Sequence, residues 1–467
     1  MKILHITAGA AGMYCGSCTR DNALARELLA RGHDVTLIPV YTPTRPDEPN
    51  VSRDRVLFGG ISVYLQQYMP LFRRTPRIFD RLWDSPRVIR AFASRAISTD
   101  ARMLGDLTVS MLHGEHGALR KEFEKLTEWI RDEPLPDVIN LPNSLLVALA
   151  APLKRVFNRP VYCTLQGEEL FLDGLVAPYR QQALDLIRQH ADAVDRFVAV
   201  SDYCASFMSS YLSVPLSRIS VVPLGISMEG YGEVRSSNYK AKSEVESGSD
   251  VFTVGYFARV APEKGLHVLA DAYIRLRRQT RGSPMRLEVA GYLGRANQQY
   301  LASVSQRMRE AGLAQEFTYR GELDRDGKLA FLRSLDVLSV PATYDEPKGM
   351  FLLESMASGV PVVQPARGAF VEIVERTGGG LLVRPDDASA LADALYTLWS
   401  EPDLRKMLAG RAFHGVREHH TVAHSADRLI ALYNKVLSPE ARFAEKGSQG
   451  GQFVDSRQPT PSSQSLP

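Results

Sequence analysis

Cysteine is scarce, with four residues in a chain of 467. So few cannot staple a chain of this length, which excludes a disulfide scaffold and makes a reducing compartment the simpler setting. Long apolar runs are also missing. The most apolar segment, Leu145 to Leu153, falls far short of the roughly 20 residues that cross a bilayer. The opening residues, Met1 to Gly9, carry one lysine and an apolar run broken by His5 and Thr7. That pattern argues against a signal peptide, so a cytoplasmic protein is expected. Neither sign of charge dominates. Lys and Arg number 56 against 53 Asp and Glu, a formal net charge of +3, and so slight an excess gives no reason to expect a nucleic-acid partner. With 45% hydrophobic and 23% charged residues, the composition is that of a folded globular protein. It is long enough for two to four domains of roughly 100–200 residues.

The first forty residues set a plan. An apolar strand, Ile3–Thr7, enters a glycine-rich turn, Ala8 to Gly16, and a helix follows with Leu24, Ala25, Leu28 and Leu29 on one face. Gly32 ends that helix and a second strand, Val35–Val40, begins. This β-loop-α-β order opens a doubly wound parallel sheet. Residues 42–132 are less regular. Within them, Tyr68–Arg102 holds eight Arg and three Asp, a net charge of +5 in 35 residues. Alternation then resumes with strands expected at Val138–Leu141, Val161–Leu165, Arg196–Val200 and Ile219–Gly225. Residues 231–250 are polar, aperiodic and linker-like. A second alternating unit, 251–437, has expected strands at Phe252–Phe257, Arg286–Ala290, Phe317–Arg320, Val337–Val340, Val360–Val363 and Gly380–Val383. Its last helix is expected to pack back on the first unit, residues 1–230. The 438–467 tail reads as disordered: of the 21 residues from Gly447, 15 are Gly, Ser, Gln or Pro. The fold class is therefore α/β, with two Rossmann-like domains.

Chemistry concentrates in three segments of the second unit. In Glu346-Pro347-Lys348-Gly349-Met350-Phe351-Leu352-Leu353-Glu354 two carboxylates lie eight positions apart. With a helix starting near Met350, Glu346 falls in a loop at a strand's C-terminal end, where open α/β sheets bind ligands. Glu354 falls about one turn into the helix. Carboxylates accept hydrogen bonds from vicinal hydroxyls, so the pair suits a sugar or a ribose. The N–H groups at the helix start suit a phosphate. Taken alone, the spacing would equally serve two solvated acids. The second segment, Arg259-Val260-Ala261-Pro262-Glu263-Lys264-Gly265, follows the unit's first strand and supplies two cations fit to clamp a diphosphate. In the third, Val362 to Val374, a strand ends in the small-residue loop Ala366-Arg367-Gly368-Ala369 and runs into a helix.

In this order and spacing the three segments resemble the nucleotide-sugar half of the family 4 retaining glycosyltransferases. The resemblance extends to Leu29–Thr36, Val222–Ile226 and Met356–Val363. It implies the GT-B fold, two Rossmann-like domains facing across a cleft. It implies transfer of a hexose-type sugar from a UDP-, GDP- or ADP-linked donor to an acceptor hydroxyl, with retention of anomeric configuration. The acceptor would be a glycan, a lipid or a small molecule, as in polysaccharide or glycoconjugate biosynthesis. By the same resemblance Glu346 holds donor-sugar hydroxyls, Glu354 holds the ribose, and Arg259 and Lys264 hold the diphosphate. Gly349, Met350 and Phe351 give backbone contacts near the phosphates, and Gly368 and Ala369 near the transferred sugar. Gly12 and Gly16 lie in the acceptor-side loop. No cofactor and no metal are expected, since no D-x-D motif is suitably placed and the cations can stabilise the leaving diphosphate.

The chain departs from the family twice. Lys348 stands where Phe is common, and Gln166 stands where a His helps to position the sugar. Glutamine can donate a hydrogen bond but cannot carry a proton. Other readings remain. A nucleotide-sugar epimerase could use the same fold. Cys15-Gly16-Ser17-Cys18 could make a non-catalytic thiol protein, though a tight glycine turn also accounts for it. The histidines His419, His420 and His424 read as exposed helix-end residues rather than metal ligands. The Arg-rich stretch 68–102 offers a peripheral contact with the inner membrane face or a seat for an anionic acceptor, with a solvated helical face as the plainer account.

Overall fold

The short apolar runs become buried parallel strands. The computed structural model describes residues 1–9, 16–53, 56, 101–131, 133–232 and 251–437. Its first sheet contains β1 (Lys2–Thr7), β2 (Asp34–Pro39), β3 (Val138–Leu141), β4 (Val161–Leu165), β5 (Arg196–Ala199) and β6 (Ile219–Val221). They run in parallel in the order β2-β1-β3-β4-β5-β6. The second contains β7 (Phe252–Phe257), β8 (Met285–Ala290), β9 (Phe317–Tyr319), β10 (Val337–Leu338), β11 (Val362–Pro365) and β12 (Gly380–Val383). Its order is β12-β11-β10-β7-β8-β9, again parallel. Two doubly wound sheets of this kind define the GT-B architecture.

Side-chain alternation divides the first sheet between two cores. Ile3, Val138, Tyr162 and Val198 face one helical layer, and Leu4, Ile139, Cys163 and Phe197 face the other. The strands are buried on both faces, which is why they read as nearly continuous apolar runs. The run from Ile219 was expected to remain a strand through Gly225. The regular strand ends at Val221: the Val222 and Leu224 N–H groups still donate to the Ala199 and Val200 carbonyls at 2.9 and 3.0 Å, but the pairing slips by one residue between them. Within the segment expected to be irregular, Ala101–Leu112 and Arg120–Arg131 form helices. Val109, Leu112, Leu119, Phe123 and Leu126 are buried there. The readings made for Gly12, Cys15, residues 68–100, linker residues 233–250 and the 438–467 tail lie outside the described residues. No helix among the described residues is long and apolar enough to cross a membrane.

The chain crosses between the two units and then returns. Ile226 forms a parallel bridge with Thr421. The Ile226 N–H donates to the His420 carbonyl at 2.9 Å, and the Val422 N–H donates to the Ile226 carbonyl at 2.8 Å. His420 is therefore not the exposed residue expected from the sequence. It is 3% exposed, and its Nδ1 lies 2.9 Å from the Leu224 carbonyl. Burial holds its imidazole well below the usual range, to about 4. His424 is exposed.

The final helix, Val422–Leu437, lies on the first unit. Ala426, Leu429 and Tyr433 join Ile3, Leu24, Leu28, Val138 and Tyr162 in one apolar cluster. Tyr433 meets Tyr162 edge to face, with ring centroids 4.8 Å apart. Its hydroxyl is buried without a hydrogen-bond partner. Two substitutions should separate packing from the hydroxyl. Tyr433→Ala should lower unfolding free energy by about 3–5 kcal/mol through the cavity it leaves. Tyr433→Phe, which removes an unsatisfied polar atom, should be neutral or stabilising. Urea denaturation would measure both, and a large loss in Tyr433→Phe would contradict this account of the helix.

Candidate active site

Strand order reverses in the second sheet between β7 and β10, and the crevice outside such a reversal is where open α/β sheets take ligands. The loop after β7 carries Arg259 and Lys264. The loop after β10 carries Tyr344 and Glu346. Two glycines allow the loops to close on each other. A Cβ on Gly265, at φ +73°, would lie 1.8 Å from the Pro341 carbonyl oxygen. A Cβ on Gly368, at φ +55°, would lie 2.4 Å from the Glu346 carbonyl oxygen. Only glycine fits at such approaches and in that left-handed backbone.

Glu346 is 3% exposed. Lys264 Nζ donates to its Oε2, as does the Tyr344 hydroxyl, and Lys264 also donates to Tyr344 Oη at 2.6 Å. Burial alone would raise the Glu346 carboxyl, but Lys264 and Tyr344 outweigh it and bring the pKa down to about 2. Lys264 also lies 4.9 Å from the Tyr344 ring centroid and 5.5 Å from that of Phe351. Arg259 pairs with Glu263 four residues on. Glu354 is buried on the Met350–Ala357 helix. It accepts from Lys328 Nζ at 2.6 Å, and Lys328 also pairs with Asp47, which reaches across from the first unit. Burial raises the Glu354 pKa, and Lys328 offsets only part of that rise.

These groups line a cleft cavity of about 350 Å³. Of the residues singled out in the sequence, Gly16, Arg259, Lys264, Glu346, Met350, Phe351 and Glu354 are on its wall. Gly368 and Ala369 stand behind Glu346, whose carbonyl accepts from the Ala369 N–H at 2.8 Å. Gly349 caps the helix start at φ +67°. Gln166 is 4% exposed and donates to the Pro142 carbonyl at 2.8 Å, so Gly167 rather than Gln166 faces the cavity. The sequence reading missed Asp47, Lys328 and Tyr344. Their partners lie elsewhere in the chain or, for Tyr344, two residues away in a loop without a period, so no local pattern marks them.

The first unit closes the cleft directly. Lys348, the departure from the family pattern, donates to Ser17 Oγ at 2.9 Å. Ser201 Oγ donates to the Pro347 carbonyl at 2.8 Å. Glu168 is fully engaged, accepting from the Ser144 and Gln166 N–H groups at 2.9 and 2.8 Å. Its neighbour Glu169 is 7% exposed and has an unpartnered buried oxygen, Oε2. Cys18 is also buried, as are Cys163 and Cys204. Burial holds the thiols of Cys163 and Cys204 well above the usual range. Those two thiols are poor exchange groups, but the thiol-protein reading rests on Cys15, which lies outside the described residues, and on Cys18. Among the described residues, no group of three or more His, Cys, Asp or Glu is placed to hold a metal ion.

Known proteins resemble this chain in sequence and fold. Residues 16–225 match the glycosyl transferase 4-like domain, and residues 238–414 match the glycosyl transferases of group 1. The chain belongs to the family 4 glycosyltransferases of GT-B fold. It is 27% identical over 244 residues to a D-inositol 3-phosphate glycosyltransferase of Nocardia farcinica, covering 52% of this chain and 53% of that protein. It is 25% identical over 320 residues to a phosphatidyl-myo-inositol mannosyltransferase of Mycobacterium leprae, covering 67% and 77%. The chain thus spans little more than half the length of the first of these relatives. The Anabaena HepE protein, solved in complex with UDP and glucose, shares the fold with a TM-score of 0.64 at 17% identity. That match covers 93% of this chain and 100% of the other.

Glu169 makes the site sensitive to pH. Burial first, and then Glu168 beside it, push its pKa from the usual 4.5 up to about 7. The folded protein therefore keeps a proton on Glu169 that the unfolded chain releases near pH 4.5. Its contribution to stability is full below that pH and is lost as pH rises through 7, a change of about 3 kcal/mol. Glu169→Gln should remove this dependence. It should be more stable than the wild type at pH 8 and close to it at pH 4.5. Urea unfolding at both pH values checks this, and parallel pH profiles for the two proteins would refute it.

Proposed function

We propose that this protein is a retaining glycosyltransferase that moves a hexose-type sugar from a nucleoside-diphosphate sugar to an acceptor hydroxyl. The observation that carries this reading is the Lys264–Glu346 pair at the reversal in strand order, with Arg259, Tyr344 and a helix start around it. An ammonium has three donors. Two of those on Lys264 go to Glu346 and Tyr344, and the third serves a diphosphate oxygen. Glu346 takes both of its bonds on Oε2, so Oε1 serves a hydroxyl of the transferred sugar. Glu354 holds the ribose.

The reaction breaks the bond from C1 of the sugar to the leaving phosphate oxygen. It forms a bond from C1 to the acceptor oxygen on the same face, and the acceptor proton passes to the leaving phosphate. Negative charge grows on the diphosphate, and Arg259, Lys264 and the N–H groups at the start of the Met350–Ala357 helix stabilise it without a metal ion. The UDP- and glucose-bound HepE structure and the mannosyltransferase relative support a hexose donor. The inositol-phosphate and phosphatidylinositol names of the relatives support a polyol hydroxyl, free or on a lipid, as acceptor.

Because both glutamates are buried and each is paired with a lysine, glutamine is the informative replacement. Alanine would leave an uncompensated charge and cost several kcal/mol of stability. Glu354→Gln should weaken donor binding about tenfold or more, whereas Glu346→Gln should mainly lower kcat, by about 10–100-fold. Calorimetry and steady-state kinetics separate the two effects, and wild-type values in both variants would remove the assignment.

EDTA should leave transfer at or near its untreated rate. Loss of activity on chelation, recovered with Mg²⁺ or Mn²⁺, would show that the cationic clamp does not suffice.

A further inference from the structure

The carboxylate end of the cleft contains a group that the family pattern of the second unit does not supply. Asp47 lies in the loop after β2, on the first unit, and forms part of the cavity wall beside Lys328 and Glu354. Its side chain is 7% exposed. Oδ2 pairs with Lys328, while Oδ1 is buried with no hydrogen-bond partner. An unmet buried acceptor costs roughly 1–3 kcal/mol, so its persistence in a cavity wall calls for a donor from outside the chain.

The loop carrying Asp47 is held firmly. Asn22, on the Gly16–Ala30 helix, donates to the Pro49 carbonyl at 3.0 Å and accepts from the Val51 N–H at 3.0 Å. The next residue, Glu48, pairs with Arg26 at 3.2 Å and with Arg325 at 3.1 Å. Arg26 belongs to the same unit as Asp47, and Arg325 opens the helix that carries Lys328. Asp47 is thus fixed from both sides of the cleft. One ammonium, Lys328, lies between two carboxylates, one from each unit.

We propose that Asp47 is a donor-recognition residue, forming with Glu354 a two-carboxylate clamp on the vicinal hydroxyls of the donor's ribose. A ribose presents two adjacent O–H donors, and two carboxylates bridged by one lysine present matched acceptors. The proposal rests on reading the cleft as a nucleoside-diphosphate site. It adds that the first unit takes part in recognising the nucleotide, so a bound nucleotide links the two halves of the molecule.

The test is calorimetry on the full chain with UDP, GDP and ADP, followed by the 2′,3′-dideoxy form of whichever binds best. Wild-type protein should bind the ribonucleotide about tenfold more tightly than its dideoxy form. Asp47→Ala should lose about tenfold in affinity for the ribonucleotide, with little change for the dideoxy form. Asp47→Asn, nearly the same shape and retaining one acceptor oxygen, should lose less and provides the test if the alanine variant folds poorly. Equal weakening of both nucleotides would make Asp47 a structural partner of Lys328 or a contact to the base, and would overturn the proposal, as would no weakening at all. If the wild type bound none of the three nucleotides, the nucleotide-sugar reading would fall and the clamp with it.

Discussion

A carboxylate taken out of water must be neutralised or protonated, and two of them determine how this site is built. Glu346 and Glu354 are both buried, and each is held by a lysine, Lys264 and Lys328. Removing water from such groups is expensive unless a partner and further hydrogen bonds are in place. The two pairs therefore fix where the loops after β7 and β10, and the helix Arg325–Arg333, come to rest. Tyr344 completes the shell of Glu346, and Asp47 does the same for Lys328. The pairs differ in outcome. Lys264 and Tyr344 keep Glu346 well ionised, whereas burial still dominates at Glu354. The glutamate assigned to the reacting sugar is thus the more firmly charged of the two.

The seam between the units follows the same logic at lower stakes. The helix Asp202–Leu212 belongs to the first unit, and its cap, Ser201, accepts from the Cys204 N–H at 3.0 Å. Glu372, from the second unit, accepts from the Asp202 and Tyr203 N–H groups at 3.1 and 3.2 Å. A helix start leaves unsatisfied N–H groups with a partial positive charge, and a carboxylate there is favourable. One unit thus caps a helix of the other. Lys348 acts in the same region, because a side chain that is commonly aromatic in the family is here an ammonium hydrogen-bonded across the seam to Ser17.

Much of this was legible in the sequence. Buried parallel strands announce themselves as unbroken apolar runs, so β3, β4, β7 and β12 match their expected bounds. The eight-residue spacing of Glu346 and Glu354 survives because it is local, a loop followed by one helical turn. What escaped was non-local. Lys328 resembles any polar residue of an amphipathic helix until the fold brings Glu354 and Asp47 to it. His420 looks solvent-facing in a run of polar residues, and only the return of the chain past Leu224 buries it. Gln166 was placed at the cleft by position in a motif, yet its amide is drawn inward by the Pro142 carbonyl while Gly167 takes the wall.

The return crossing at Ile226 and Thr421 has a consequence for dissection. The first unit is discontinuous in the chain, because its apolar face is covered by a helix encoded after the second unit. Cutting the gene at the linker would yield an N-terminal fragment with Leu28, Val138 and Tyr162 uncovered, and a C-terminal fragment bearing a loose amphipathic helix. The cut that respects the packing takes residues 251–420 as an inserted segment and joins the first unit to its own final helix. In architecture the molecule is one domain interrupted by another.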